Sequence, residues 1–174
     1  IKGSITANMT GDFSLKNGNT TLGNITVGSA SFTSTGAINL AANKAVTANA
    51  GNITLTANAI GIDGNMSASD TVRVGTFDAA LNISLGGQAD LAVSNASLVN
   101  LQTNTNGSLA IGGVNQTGNV TVDGAINPSA NMILSGGNIS INEAVNAGSK
   151  NLTLNANANQ GTITQSGNGN LTTI

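Results

Sequence analysis

The chain has 174 residues, a formal net charge of −2 at pH 7, 39% hydrophobic residues and only 7% charged ones. It contains no His and no Cys, and Phe is its only aromatic residue, so the imidazole and thiolate routes to catalysis and to zinc or transition-metal binding are closed. Five scattered cations cannot neutralise a row of phosphates, no Trp or Tyr offers a stacking platform for bases, and no run approaches the roughly 20 apolar residues of a membrane-crossing helix.

Asn (28), Gly (23), Thr (21) and Ser (16) make up about half of the residues. Intrinsic disorder normally goes with low hydrophobicity and high net charge, and this chain has neither. It opens on Ile1-Lys2-Gly3 with no Met-led basic and apolar leader, so it reads as one domain, residues 1–174, cut from a larger polypeptide whose signal lies upstream.

Along the chain, short strand-forming words recur with a Gly, Lys or Asn entry and apolar-polar-apolar alternation. The first are Gly23-Asn24-Ile25-Thr26-Val27 and Gly51-Asn52-Ile53-Thr54-Leu55. Gly118-Asn119-Val120-Thr121-Val122, Gly137-Asn138-Ile139-Ser140-Ile141 and Lys150-Asn151-Leu152-Thr153-Leu154 follow. Between the first two, the Ala-dense Ala41-Ala42-Asn43-Lys44-Ala45-Val46 is the one stretch where a helix needs testing. Asn43 and the following Asn49-Ala50-Gly51 argue against it. Pro128 has no N–H to give to a ladder, which predicts a corner or small bulge at Asn127-Pro128-Ser129.

Spacing carries more information than the words. Phe13 and Phe32, and Val27 and Val46, are 19 residues apart. One track runs Ile53, Val72, Leu91 in steps of 19 and continues through Leu109, Ile126, Val145 and Ile163 in steps of 17 to 19. A second runs Val114, Ile133, Leu152, Leu171, and a third Leu101, Val120, Ile139, every step 19. Three interleaved tracks predict a coil with three short strands per turn. Such a turn cannot bury its apolar face alone, but stacked turns bury a continuous column and pair every strand above and below. The expected fold is therefore all-β, a single-stranded parallel β-helix (β-solenoid) of about nine turns of about 19 residues, roughly 43 Å long at the ~4.8 Å strand spacing. Gly and Asn are expected at its corners because they tolerate positive φ.

The period, the Gly-Asn-Ile-Thr-Leu words and sentences such as Asn106-Gly107-Ser108-Leu109-Ala110-Ile111 resemble the repeat shaft of filamentous-haemagglutinin-like exoproteins, the two-partner-secreted adhesins of Gram-negative bacteria. The resemblance covers essentially the whole chain. It implies a right-handed β-helix exported through an outer-membrane transporter, displayed at the cell surface or released, and continuous with adjoining β-helical repeats of the same polypeptide. The Asn-Pro-Asn motif of that family's secretion domain is not matched, since Asn127-Pro128 lies deep in the chain and is followed by Ser129, so the piece is more like shaft than secretion domain. The expected role is a non-enzymatic spacer of a virulence-associated adhesin, with a host receptor or glycan as its candidate contact. A purely structural extracellular filament or matrix rod is the alternative.

Two other uses of β-solenoids make specific demands on the residues. A polysaccharide-degrading site needs paired carboxylates. Asp12, Asp63, Asp70, Asp78, Asp90, Asp123 and Glu143 include no two 19 apart, although Asp70 and Asp90, and Asp123 and Glu143, differ by 20. An ice-binding face needs outward Thr ladders, and with Arg73 and Ala92 one and two turns above Thr54 the ladder fails. Lys44 and Asp63 fall one turn apart, as a surface ion pair would. Thirteen Asn-x-Ser/Thr sequons are present, at Asn8, Asn19, Asn24, Asn52, Asn65, Asn82, Asn95, Asn106, Asn115, Asn119, Asn138, Asn151 and Asn170, with their Asn expected to face outward. No residue is nominated as catalytic, cofactor-binding or metal-ligating, and no cofactor is expected.

Overall fold

A computed structural model describes residues 4–157 and 161–173. The chain winds into a parallel β-solenoid of about eight turns. Its first coils comprise β1 (Ser4–Asn8), β2 (Asp12–Asn17), β3 (Thr20–Val27), β4 (Ser29–Ser34), β5 (Ala37–Leu40), β6 (Ala45–Ala48) and β7 (Ile53–Thr56). The middle adds β8 (Ala59–Ile62), β9 (Asn65–Ala68), β10 (Thr71–Gly75), β11 (Ile83–Leu85), β12 (Leu91–Val93), the short helix α1 (Asn95–Asn100), β13 (Leu101–Thr103) and β14 (Ser108–Gly112). The chain then continues through β15 (Val120–Val122), β16 (Asn131–Gly136), β17 (Ile139–Ile141), β18 (Val145–Gly148), β19 (Leu152–Ala156), β20 (Ile163–Gln165) and β21 (Leu171–Thr173). All five words identified in the sequence lie on strands: β3, β7, β15, β17 and β19.

The strands form three faces. The first is one unbroken sheet, β2-β4-β7-β10-β14-β16-β19. The second starts with the N-terminal half of β3, then β5 and β8, and continues above as β12-β11-β15-β17-β20. The third starts with the C-terminal half of β3 and runs through β6 and β9 to β13; above a break, Ile126, β18 and β21 resume it. Alternate residues point inward and stack rung on rung, as Phe32, Leu55, Val74, Ile111 and Leu134 do on the first face. All five are buried. The rings of Phe13 and Phe32 pack at 5.8 Å between centroids near the first coil.

The regular 19-residue period is corrected. On the first face, Ile53 does stack on Val72, but Ala30 stacks on Ile53, 23 residues on, and Val72 on Leu109, 37 on. Corners of unequal length absorb the difference, and for that reason there are fewer turns than 174 residues at 19 would give. The inferred tracks cross faces. Leu91 belongs to the second face beside Ile83, Leu101 to the third beside Met66, and Val114 sits on a turn with 84% of its surface exposed. Ile133 points outward, between the inward Met132 and Leu134. Of the third track, Val120 and Ile139 do stack.

Local expectations fare better. Ala45-Val46 opens β6 and no helix forms at Ala41–Val46, while Asn127-Pro128-Ser129 is a corner before β16. Positive φ, however, is confined among the described glycines to Gly86, Gly112, Gly148 and Gly167. Elsewhere glycine serves close approach: a Cβ on Gly118 would collide with the Leu81 carbonyl oxygen of the neighbouring segment.

Some inward rungs are polar, Ser34 on β4 and Thr20 on β3 among them. Thr20 stacks beneath Ile38 and Ile60, and its buried Oγ1 has no hydrogen-bond partner. Leaving a buried hydroxyl unpaired costs about 1–3 kcal/mol. Thr20→Val keeps the shape and removes that cost, so it is expected to raise stability by about 1 kcal/mol, read as a higher Tm in a thermal melt.

Candidate functional site

Between β10 and β14 the solenoid is interrupted. Here Thr76–Leu81 breaks from the strand words, and Asp78 folds the chain into a turn by accepting the Ala80 N–H on Oδ1 at 3.0 Å; a word resumes at Asn82-Ile83-Ser84-Leu85. The segment climbs one rung to form β11, then drops back to form β12, so that β11 lies between β12 and β15 against chain order. The second face thereby gains a strand. The first face gains none, because β14 pairs directly with β16.

The detour is pinned by Gln116, a buried side chain on the next coil. Its Nε2 donates to Ala79 O at 3.0 Å and to Leu81 O at 2.6 Å, and its Oε1 accepts the Thr76 hydroxyl at 2.9 Å. Nothing in the sequence words marks Gln116. It lies between the words Ser108-Leu109-Ala110-Ile111 and Asn119-Val120-Thr121-Val122, in a stretch that carries no strand alternation.

Returning from β12, the chain forms α1, capped by Ser94 Oγ, which accepts the Ser97 N–H at 3.1 Å. This helix replaces a stretch of ladder. Ser97 Oγ accepts the Ile62 N–H at 3.3 Å, and Asn100 Nδ2 donates to Ile62 O at 2.9 Å. Above, Asn95 Nδ2 donates to Ala125 O at 3.1 Å. Side chains thus satisfy backbone groups that an adjacent strand would otherwise take. Between α1 and the Ala125–Ser129 corner a notch of about 290 Å³ remains, walled by Leu98, Val99 and Pro128 and floored by Leu109, Ile126 and Met132.

The seven acids lie apart from this notch. Asp90 Oδ2 accepts the Asn82 N–H at 2.9 Å, whereas Asp70 sits at the corner before β10 on the first face, so the two do not stack. Asp123 is bridged by Ser84 Oγ at 2.7 Å and by Asn142 Nδ2 at 2.8 Å; Asn142, not Glu143, stacks on it. Among the described residues no three of His, Cys, Asp and Glu cluster as a metal site would require. Lys44 and Asp63 are not stacked neighbours: Asn65 N–H donates to Lys44 O, and Asp63 N–H to Leu40 O. A longer corner after β5 shifts the register. Above Thr54 stands Arg73 as expected, followed by Ala110 rather than Ala92; Ser31 lies below.

Asn has a mechanical role that turn propensity does not capture. Side-chain oxygens of Asn24, Asn52, Asn58 and Asn131 each accept a backbone N–H from the coil above, at 3.0 to 3.2 Å. At the entry to the second face these bonds become a ladder. Asn82 Oδ1 accepts the Asn119 N–H, Asn119 Oδ1 accepts from Asn138 Nδ2, and Asn138 Oδ1 accepts the Thr162 N–H, each at 2.9 Å. Among the sequons, Asn82, Asn95 and Asn138 therefore have their amide nitrogens engaged, while Asn106 and Asn115 stand exposed on turns. Asn119→Ala removes a rung and is expected to cost about 1 kcal/mol, against less than about 0.5 kcal/mol for Asn106→Ala, by denaturant titration.

Comparison with protein-family models, with curated proteins and with solved structures finds no match for this chain.

Proposed function

We propose that the chain is a non-enzymatic shaft segment of a large secreted bacterial surface adhesin, a rigid spacer that reaches the outside through an outer-membrane transporter. The observation that carries this reading is the use made of the polar side chains. The Asn82–Asn119–Asn138 rungs, and Asn142 on Asp123, tie coil to coil along the rod, which suits a load-bearing spacer. The resemblance of the strand words to adhesin shafts supports the same reading. Contact with a host receptor or glycan is the role left to its outer faces.

A second reading, a structural filament or matrix rod, draws on the same coil-to-coil side-chain bonds, which suit a load-bearing polymer as well as a spacer. Two measurements separate the readings. Antibody raised against the rod should label intact producing cells, and external protease should remove the label; labelling only after permeabilisation overturns surface display. Fluorescent rod that attaches to host cells, and sediments as a monomer, supports the adhesin. Concentration-dependent fibres without attachment support the matrix rod.

A further inference from the structure

From β1 to β10, and again from β15 to β19, backbone pairing on all three faces joins each coil to the next. The coil of β12, α1, β13 and β14 differs on both of its sides. Beneath it the second face is broken, because β8 ends its sheet and no strand pair joins it to β12. In place of a ladder, the Ile62 N–H donates to Ser97 Oγ and the Ile62 carbonyl accepts from Asn100 Nδ2. Above the coil the third face is broken, since β13 pairs only downward with β9 and, among the described residues, Ile126 bridges only upward to Val145. There Asn95 Nδ2 to Ala125 O, at 3.1 Å, is the one hydrogen bond from α1 to the coil above among the described residues. Only the first face runs through both junctions, with β10, β14 and β16 in direct register.

We propose that this coil is a hinge: the rod bends here about its first face, while the lengths below and above move as rigid bodies. Opening a paired face strips every bond of its ladder at once and leaves backbone groups without partners. On the second face beneath the coil and the third face above it there is no ladder to strip, so bending draws on a few side-chain bonds at α1. The notch of about 290 Å³ between α1 and the Ala125–Ser129 corner gives the motion room, because the close-packed contacts that would resist a change of spacing are missing there. The first face is the pivot. Its five paired residues between β14 and β16 hold the two coils together while the other faces change their separation. A hinge needs no more than a few positions that absorb the movement, and here they are α1 and the corner above it. The hinge is a property of the coil stack and holds for an adhesin shaft and a matrix rod alike.

Because the chain has no Cys, pairs of cysteines introduced at outward positions can be spin-labelled specifically and their separation read as a distance distribution by double electron–electron resonance. Thr26 on β3 and Asn146 on β18 lie on the third face and span the hinge. Ser31 on β4 and Thr153 on β19 lie in the same two coils on the first face. Either pair is separated by about 24 Å at ~4.8 Å per rung. The distribution from Thr26→Cys with Asn146→Cys is expected to be at least twice as wide as that from Ser31→Cys with Thr153→Cys. Asn95→Ala, an exposed substitution whose folding is checked by circular dichroism, should widen the first distribution further and leave the second unchanged. Equal widths overturn the proposal: both narrow means a rod stiff throughout, and both wide means a rod loose along its length or at its last coils. An unchanged third-face distribution in the folded Asn95→Ala variant overturns it as well.

Discussion

Leu134→Asp is expected to unfold the rod or bring it close to unfolding, whereas Ile133→Asp, one residue away, is expected to leave it folded. Leu134 is fully buried on β16, stacked between Ile111 below and Leu154 above, and its rung neighbours are aliphatic. A carboxylate there has no cation to meet, and an uncompensated buried charge costs about 3–5 kcal/mol. That is a large share of the ~5–15 kcal/mol by which domains are stable. Ile133 faces outward between Ala110 and Thr153 and is half-buried, so its replacement forfeits only part of an apolar contact, about 1 kcal/mol. Thr121→Asp, outward between Val120 and Val122, should cost less than about 0.5 kcal/mol. Paired melts of the first two variants check the facing of β16. A larger loss from Ile133→Asp would mean that its inward and outward residues are exchanged, and equal losses that the two do not differ in facing.

That contrast also locates what the sequence could and could not convey. The words were legible because alternation is a local property: Val120-Thr121-Val122 and Ile139-Ser140-Ile141 show which residues face inward without reference to any other coil. Met132-Ile133-Leu134 does not, since three consecutive apolar residues are compatible with either phase, and the 19-residue step from Val114 selects the wrong one. Stacking is a property of the whole coil. Corners lengthened by four residues in total between β4 and β7 preserve every word while moving the register from 19 to 23. The three-sided parallel solenoid was thus readable, as were the pairs Ile53 with Val72, Val120 with Ile139 and Ile126 with Val145, but the other rung pairings were not.

The notch was hidden for a further reason. It arises from a strand that pairs out of chain order, and no periodicity encodes that. Ser94 with Ser97 three residues later is a weak capping signal for α1, and a six-residue helix has too little pattern to be seen against the surrounding strands. Asn was misjudged in a different way. Its frequency suggested turns, whereas Asn24, Asn52, Asn82, Asn119 and Asn138 act mainly through side-chain bonds to an adjacent coil, a role that becomes visible only once the coils are stacked.

The detour itself should be the most fragile part of the rod, and substitution at Gly118 and Gln116 is expected to reveal it. Gly118 passes so close to Leu81 that any Cβ must displace backbone, not the end of a flexible side chain. Its N–H donates to Ala79 O at 2.9 Å, so a displacement there also breaks the anchorage of the Thr76–Asn82 segment. Gly118→Ala is therefore expected to cost about 2–3 kcal/mol, within the range for overpacked sites. Gly11→Ala, where nothing lies within 4 Å of the added carbon, should be neutral or slightly stabilising through the unfolded chain. Gln116→Leu fills similar space but strips Leu81 O and the Thr76 hydroxyl of their partners, at about 1–3 kcal/mol for a buried group left unpaired. Both losses should be local as well as global. Hydrogen exchange in either variant should accelerate first at Ile83–Leu85 and at Val120–Val122, the strand that β11 separates from β12, while β4 and β7 keep their protection. Uniform acceleration along the whole rod would mean that the detour is no weaker than the coils it interrupts.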